Sequence, residues 1–413
     1  MRDPLEARCA SLGDSFDLLA GYRPTVGFFF ERDGVGVAGA AGLRTFSAAR
    51  IGDLVHVVDV LRGILRRGSG LPPIAAGGIA FAGSRAGRPA HELIITRRSV
   101  RKKLDGAWRL DLGVVGQDDG DPPPFERVGG ATPSEAFTEL QVREHPSAAD
   151  YGRAVERAVG SIQLGELRKV VLARTMEVEA DRVLDPRTLA HRLRAVNPHA
   201  HTFAVPSADG VLVGASPELL VSRFGREVRS NPLAGSAPRS GDPGEDRANA
   251  EALRTSAKNL EEHAIVVEAI AETLGPFCEE LGWDPEPVVL ATPNVWHLST
   301  RFEGVLREPA PNALELVAGL HPTPAVGGEP TAEALRLIDE LEPFDRGSYA
   351  GPVGWVDADG DGEWAIALRC AELTGSRATL YAGAGIVAES QPQLEIDETD
   401  RKFRAFLDAL RWG

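Results

Sequence analysis

The chain of 413 residues is 43% hydrophobic and 25% charged, an ordinary globular composition with enough length for one large core or two smaller ones. Its formal charge of −15 argues against general binding to nucleic acid or to anionic membranes, both of which need basic stripes. The same charge means that an anionic ligand would need a local cluster of cations or a metal to hold it.

In chain order, the N-terminal MRDPLEARCA has no apolar segment behind its early charges, so a secretory signal is not expected and a cytoplasmic address is. No run of 18 apolar residues occurs, and the most apolar short stretch, residues 74–83, is interrupted by Gly78, so no membrane-spanning helix is expected. Cys9, Cys278 and Cys370 are widely spaced and odd in number, which predicts reduced, mostly buried thiols. Residues 25–30 and 92–96 read as strands, and residues 116–133 (GQDDGDPPPFERVGGATP) as a linker or surface loop. Helical spacing of apolar residues predicts a helix over 147–164, and β-branched density predicts a strand over 168–178. Residues 201–205 and 210–215 predict a hairpin, with Ser216-Pro217-Glu218 where its second strand gives way to residues 219–224. One long helix is predicted over 246–280 with Gly275-Pro276 near its end, then strands over 363–372 and 381–388 lying side by side. Residues 397–412 form an amphipathic helical pattern. Strand runs broken by long helices, without regular βαβ alternation or an internal repeat, predict an α+β architecture.

Some motifs fall away on their chemistry. Asp357-Ala-Asp-Gly-Asp-Gly362 begins like a calcium loop, but its twelfth position is Leu368 where the bidentate Glu belongs, so it reads as a tight turn between strands. Gly383-Ala-Gly385 lacks the third glycine of a dinucleotide fingerprint, which leaves close backbone approach as its use. Neither GxxxxGK[ST] nor GxSxG is present, removing support for P-loop and α/β-hydrolase chemistry.

What remains are ionisable groups in suggestive places. Glu395, Glu398 and Lys402 share one helical face; alone, such a trio reads as an exposed salt-bridged face. Lys258, Glu261, Glu262 and His263 lie in the middle of the predicted long helix, directly before the apolar Ala264-Ile-Val-Val267, so at least one of these carboxylates lies near a buried side and needs a partner. Acidic residues from two helices would make a hard oxygen site suited to Mg²⁺. Lys169 leads into a β-branched strand and Glu218 follows Ser216-Pro217. Burial would fit the first for a base and the second for an acid, but taken alone each reads rather as an edge lysine or a turn glutamate.

Ten ordered segments resemble the signatures of the chorismate-utilising enzymes, which include isochorismate, salicylate, anthranilate and aminodeoxychorismate synthases. They are LRKVVLAR (167–174), ASPEL (215–219), NPLAGS (231–236), KNLEEH (258–263), WHLST (296–300), LHPTPA (320–325), FDRGSYAG (344–351), IALR (366–369), GAGI (383–386) and EIDE (395–398). The resemblance implies one large chorismate-binding domain over 1–413, with large antiparallel sheets packed face to face and helices outside. Its catalytic core would span 147–412, and residues 1–140 would be the family-variable part. Carried over by position, it implies Mg²⁺ held by Glu262 and Glu398 with Glu395 close by, Lys169 as general base, Glu218 as general acid and His297 beside the ring. It implies substrate contacts from Gly235, Ser236, Tyr349, Arg369, Gly383 and Lys402. Aminodeoxychorismate synthases carry a nucleophilic lysine where this chain has Ala234, and salicylate and anthranilate synthases carry a threonine at Ala325. The implied activity is therefore reversible conversion of chorismate to isochorismate, with salicylate formation or a non-catalytic chorismate-binding relative as the alternatives and no glutaminase subunit, nucleic acid or membrane as partner. Whether the product would serve siderophore or menaquinone synthesis is left open by these residues.

Overall fold

The computed structural model describes residues 5–24, 26–66, 71–82, 91–114 and 140–411; the predicted loop at 116–133 lies outside them. Among the described residues are eight α-helices: α1 Val57–Arg62, α2 Ala148–Gln163, α3 Pro186–Val196, α4 Pro243–Thr255, α5 Ala257–Leu274, α6 Ala313–Leu320, α7 Thr331–Leu341 and α8 Pro392–Arg411. No described helix is long and apolar enough to cross a membrane.

The strands form a branched twenty-stranded sheet system and a separate three-stranded sheet, Leu233–Pro238, Val295–Ser299 and Val288–Ala291. All described pairings are antiparallel except that of Leu5–Ser11 with Leu65–Arg66. The α+β expectation holds. The predicted hairpin forms between His201–Pro206 and Val211–Ser216, with His201 opposite Ser216. His91–Lys103 contains the strand expected over 92–96, while the one expected over 25–30 begins only at Phe28 and runs to Arg32; residue 25 is outside the described set. The early strands are stitched to the late ones: Phe28–Arg32 pairs with His201–Pro206, and Ile74–Ile79 with Pro352–Asp357.

Side-chain alternation explains the runs of apolar residues. Phe28, Phe30, Phe203, Val205 and Leu212 point into one core with Trp364 and Phe302, while Phe29, Ala204, Val211 and Val213 point into a second beneath α3 and α8. A strand covered on both faces reads as uninterruptedly hydrophobic. The same holds for Lys169–Ala180, buried over most of its length between Arg377–Ile386 on one edge and Leu140–His145 on the other. Helix α2 is capped by Ser147 and buries Tyr151, Val155, Ala158 and Ile162 at helical spacing.

Three further elements are rearranged relative to the sequence reading. The long helix over 246–280 is two helices and a strand. Ser256 ends α4 in an extended conformation and caps α5 by accepting the Asn259 N–H, and Gly275-Pro276 ends the helix in a short 3-10 turn before the strand Cys278–Trp283. Lys258 to His263 thus lie near the start of a helix. The strand over 363–372 is broken into Gly362–Ile366 and Cys370–Thr374, because Arg369 adopts a left-handed φ of 50° and the two halves change partners. Helix α8 begins at Pro392, earlier than residue 397, which brings Glu395 into its first turn. The 357–362 segment is a turn between strands, with Asp357 accepting the N–H groups of Asp359 and Asp361 and pairing with Arg101 at 2.8 Å.

Candidate active site

Strand register assembles the floor of the site. Lys169, Val171 and Ala173 alternate onto one face of their strand, and the next strand sets Gly385 opposite Val171 and Gly383 opposite Ala173. Val171, Gly383 and Gly385 line one cleft. A Cβ on Gly385 would collide with Glu262 Oε1 and stand 3.2 Å from Lys169 Cε, so its missing side chain is the space into which those two groups reach.

Of the residues singled out in the sequence, Glu218, Gly235, Ser236, Glu262, His297, Ala325, Tyr349, Arg369, Gly383, Glu398 and Lys402 all line this cleft, as does Ala234. Lys169 and Glu395 stand just behind its wall. Lys169 is fully buried, its Nζ 3.1 Å from Glu262 Oε1 at ion-pair distance but off the hydrogen-bonding direction, and it has no hydrogen-bond acceptor among the described residues. Glu218 is 2% exposed at the junction between two strands. Burial pushes its pKa up to about 8, against the opposing pull of Lys169, the Leu233 N–H and Lys402, so it is a protonated acid at neutral pH.

Helix α8 supplies the other charges. Lys402 Nζ donates to Glu398 Oε1 at 2.6 Å and to the Gly383 carbonyl at 2.7 Å, tying the helix to the glycine strand. Burial would raise the Glu398 pKa, but Lys402 and the Ser236 hydroxyl hold it down at about 2. One turn earlier, Glu395 is raised by burial and by Glu398, and this is partly offset by Lys258 at 2.8 Å and by Ser390.

His297 is fixed in one tautomer by its partners. Arg369 Nη2 can only donate and lies 2.9 Å from Nε2; the Gly235 carbonyl can only accept and lies 3.3 Å from Nδ1. The ring therefore carries its proton on Nδ1. Burial, then Arg369 and Lys402, lower its pKa to about 3 and keep it neutral. Arg369 is itself lowered to about 10 by burial, though still cationic at neutral pH. Gly235 holds a φ of 74° that an L side chain would strain, and Tyr349 stacks on Tyr381 with ring centroids 4.9 Å apart.

Sequence reasoning missed part of the machinery. Gly385 belongs to the GAG motif, and close backbone approach was its correct use. Lys258, Ser390 and Asn259, whose side chain accepts the Ser236 N–H at 3.3 Å, support site groups. The KNLEEH segment carried a signal for Lys258 and Asn259; none marked Ser390.

Fold and cleft together define an α+β protein whose cleft brings the raised carboxyl of Glu218 together with the cations Arg369 and Lys402, with the buried Lys169 behind it. Residues 127–411 match the family described as "Chorismate binding enzyme". The chain is 46% identical over 276 residues to isochorismate synthase DhbC of Bacillus subtilis strain 168, covering 65% of this chain and 69% of that one. It is 41% identical over 280 residues to isochorismate synthase EntC of Escherichia coli K12, covering 68% and 71%. The crystal structure of a putative 2,3-dihydroxybenzoate-specific isochorismate synthase, DhbC from Bacillus anthracis, is similar at a TM-score of 0.81 and 38% identity, over 96% of this chain and 99% of that one. Anthranilate synthase component I from Streptococcus pneumoniae TIGR4 shares the fold, at a TM-score of 0.68 and 23% identity over 98% and 93%. The chain belongs to the chorismate-binding enzyme family.

Proposed function

We propose that this chain is an isochorismate synthase, with chorismate as substrate and Lys169 and Glu218 as its base and acid. Lys169 Nζ takes a proton from water as the oxygen bonds to ring carbon 2. The two ring double bonds each move one position, and the carbon-4 hydroxyl leaves as water with the proton of Glu218. One water enters and one leaves, so the net change is an isomerisation and the reverse reaction uses the same groups with roles exchanged. The observation that carries this reading is the placement of Glu218, a carboxyl 2% exposed that lines the cleft, with the fully buried Lys169 just behind the cleft wall beside Glu262.

Arg369 and Lys402 supply positive charge for the substrate's two carboxylates, with Gly235 and Ser236 beside the ring carboxylate and Tyr349 and Gly383 beside the enolpyruvyl arm. His297, neutral and oriented, faces the ring. Magnesium fits the donor set. Glu262 on α5 and Glu398 on α8, with Glu395 nearby, offer hard oxygens. Among the described residues no three His, Cys, Asp or Glu side chains form a ready metal cage, so the remaining positions of such an ion would fall to water and substrate. When bound, the ion would neutralise and orient the ring carboxylate.

Ala234 and Ala325 both line the cleft, leaving no lysine nucleophile and no threonine at those positions. Water as nucleophile needs no glutaminase subunit, the net charge of −15 suits neither nucleic acid nor membrane as partner, and the cytoplasm is the expected location. Incubation of the purified protein with chorismate and Mg²⁺, followed by chromatography, should give isochorismate at equilibrium with chorismate. Salicylate with stoichiometric pyruvate, and no isochorismate, would instead make it a salicylate synthase.

A further inference from the structure

Each of the three glutamates read as metal ligands stands beside a lysine, and the three lysines are held very differently. Lys169 is fully buried, and Lys402 is fixed between Glu398 and the Gly383 carbonyl. Lys258, in the first turn of α5, reaches across to α8 and donates to Glu395 Oε1 at 2.8 Å, with its own side chain still 28% exposed against 3% for its partner. Glu395 and Glu398 lie one turn apart on α8, and two buried carboxylates at that spacing repel unless a cation lies between or beside them. Glu262 lies four residues along α5 from Lys258, so the ammonium stands between the glutamate of its own helix and the acidic pair on α8.

We propose that Lys258 is a tethered counter-ion: in the free protein its ammonium neutralises Glu395 next to Glu398, and a divalent cation taken up beside these carboxylates displaces it from Glu395 toward solvent. This rests on the reading of those glutamates as the magnesium site. Lysine suits the task, because a compact, strongly hydrated charge on a flexible four-carbon stem can leave a carboxylate and return to water. Lys258 thereby keeps α5 joined to α8 when no metal is present and sets how much free magnesium the protein needs.

The test is calorimetric titration of the full chain with Mg²⁺, and with Mn²⁺ as a second probe, comparing wild type with Lys258→Met, Lys258→Gln and Lys258→Arg. Lys258→Met should bind Mg²⁺ about 10-fold to 100-fold more tightly, the factor set by losing one hydrogen-bonded charge that competes for Glu395. Without metal it should melt below wild type, and saturating Mg²⁺ should close that gap. Lys258→Gln, which keeps a hydrogen bond without the charge, should tighten binding in the same direction and serves if the Met variant does not fold. Lys258→Arg should stay close to wild type. A merely structural lysine would show the opposite, weaker metal binding on its loss. Equal or weaker affinity in both neutral variants would overturn the proposal while leaving the metal site standing, whereas absence of Mg²⁺ and Mn²⁺ uptake by every protein, wild type included, would overturn both.

Discussion

Replacing Glu218 by Gln should make the folded chain more stable toward alkaline pH while removing most of its turnover. The carboxyl is pushed from 4.5 to about 8 by burial. With the folded value above the unfolded one, its stabilising contribution is complete below pH 4.5 and is lost as pH rises toward 8, because the unfolded chain releases a proton that the native site retains. Each pH unit inside that window costs about 1.4 kcal/mol, so between pH 5 and 7.5 the wild type loses roughly 3 kcal/mol, a loss that the Glu218→Gln variant, with no proton to release there, does not share. Urea unfolding of both proteins without metal at several pH values should show their stability difference widening by that order. Turnover should fall by about 10² to 10⁴. A stability difference that does not change with pH would mean that Glu218 ionises normally in the native chain, and its role as the acid would fall with it.

Further outcomes follow from the same geometry. Lys169→Ala should lower kcat by about 10² to 10⁴ with the fold retained, checked by turnover and circular dichroism; near-normal kcat would remove the base from the scheme. The kcat/KM profile should fall above about pH 8, as the free protein's Glu218 loses its proton, and a profile still rising at pH 9 would contradict that assignment. Gly385→Ala, whose new methyl meets Glu262 Oε1, should raise the Mg²⁺ concentration needed for half-maximal turnover, and an unchanged requirement would show that Glu262 has room to spare. Arg101→Leu strands the buried Asp357, so urea unfolding should register a loss of about 3 to 5 kcal/mol. A loss within experimental error would show that the pair contributes nothing.

Much of the site was legible because its residues sit in regular elements whose period fixes their direction. The spacing of Glu395, Glu398 and Lys402 on one helix face, and the β-branched run after Lys169, both carried through to the structure. The boundaries that failed did so for local reasons. Ser256 lies inside an unbroken helical pattern, and its capping hydrogen bond to the Asn259 N–H becomes visible only when the backbone turns. Arg369 gives no hint of a left-handed φ, yet that conformation splits the strand and helps bring its guanidinium to His297. The pairings of Lys258 with Glu395 and of Arg369 with His297 join residues 137 and 72 positions apart, so only tertiary packing can state them. The apolar runs before residue 114 carried no chemical motif because they serve as sheet partners for the hairpin at His201–Pro206 and the strand at Pro352–Asp357.

The central claim is that water attacks ring carbon 2 while the carbon-4 hydroxyl departs, and it can be read directly from oxygen. Chorismate and Mg²⁺ incubated with the protein in H₂¹⁸O for an early time point should yield isochorismate carrying one ¹⁸O in its carbon-2 hydroxyl, detected by mass spectrometry. Isochorismate formed without label would contradict the account, since the hydroxyl would then have migrated within the substrate and neither Lys169 nor Glu218 would have the role assigned to it.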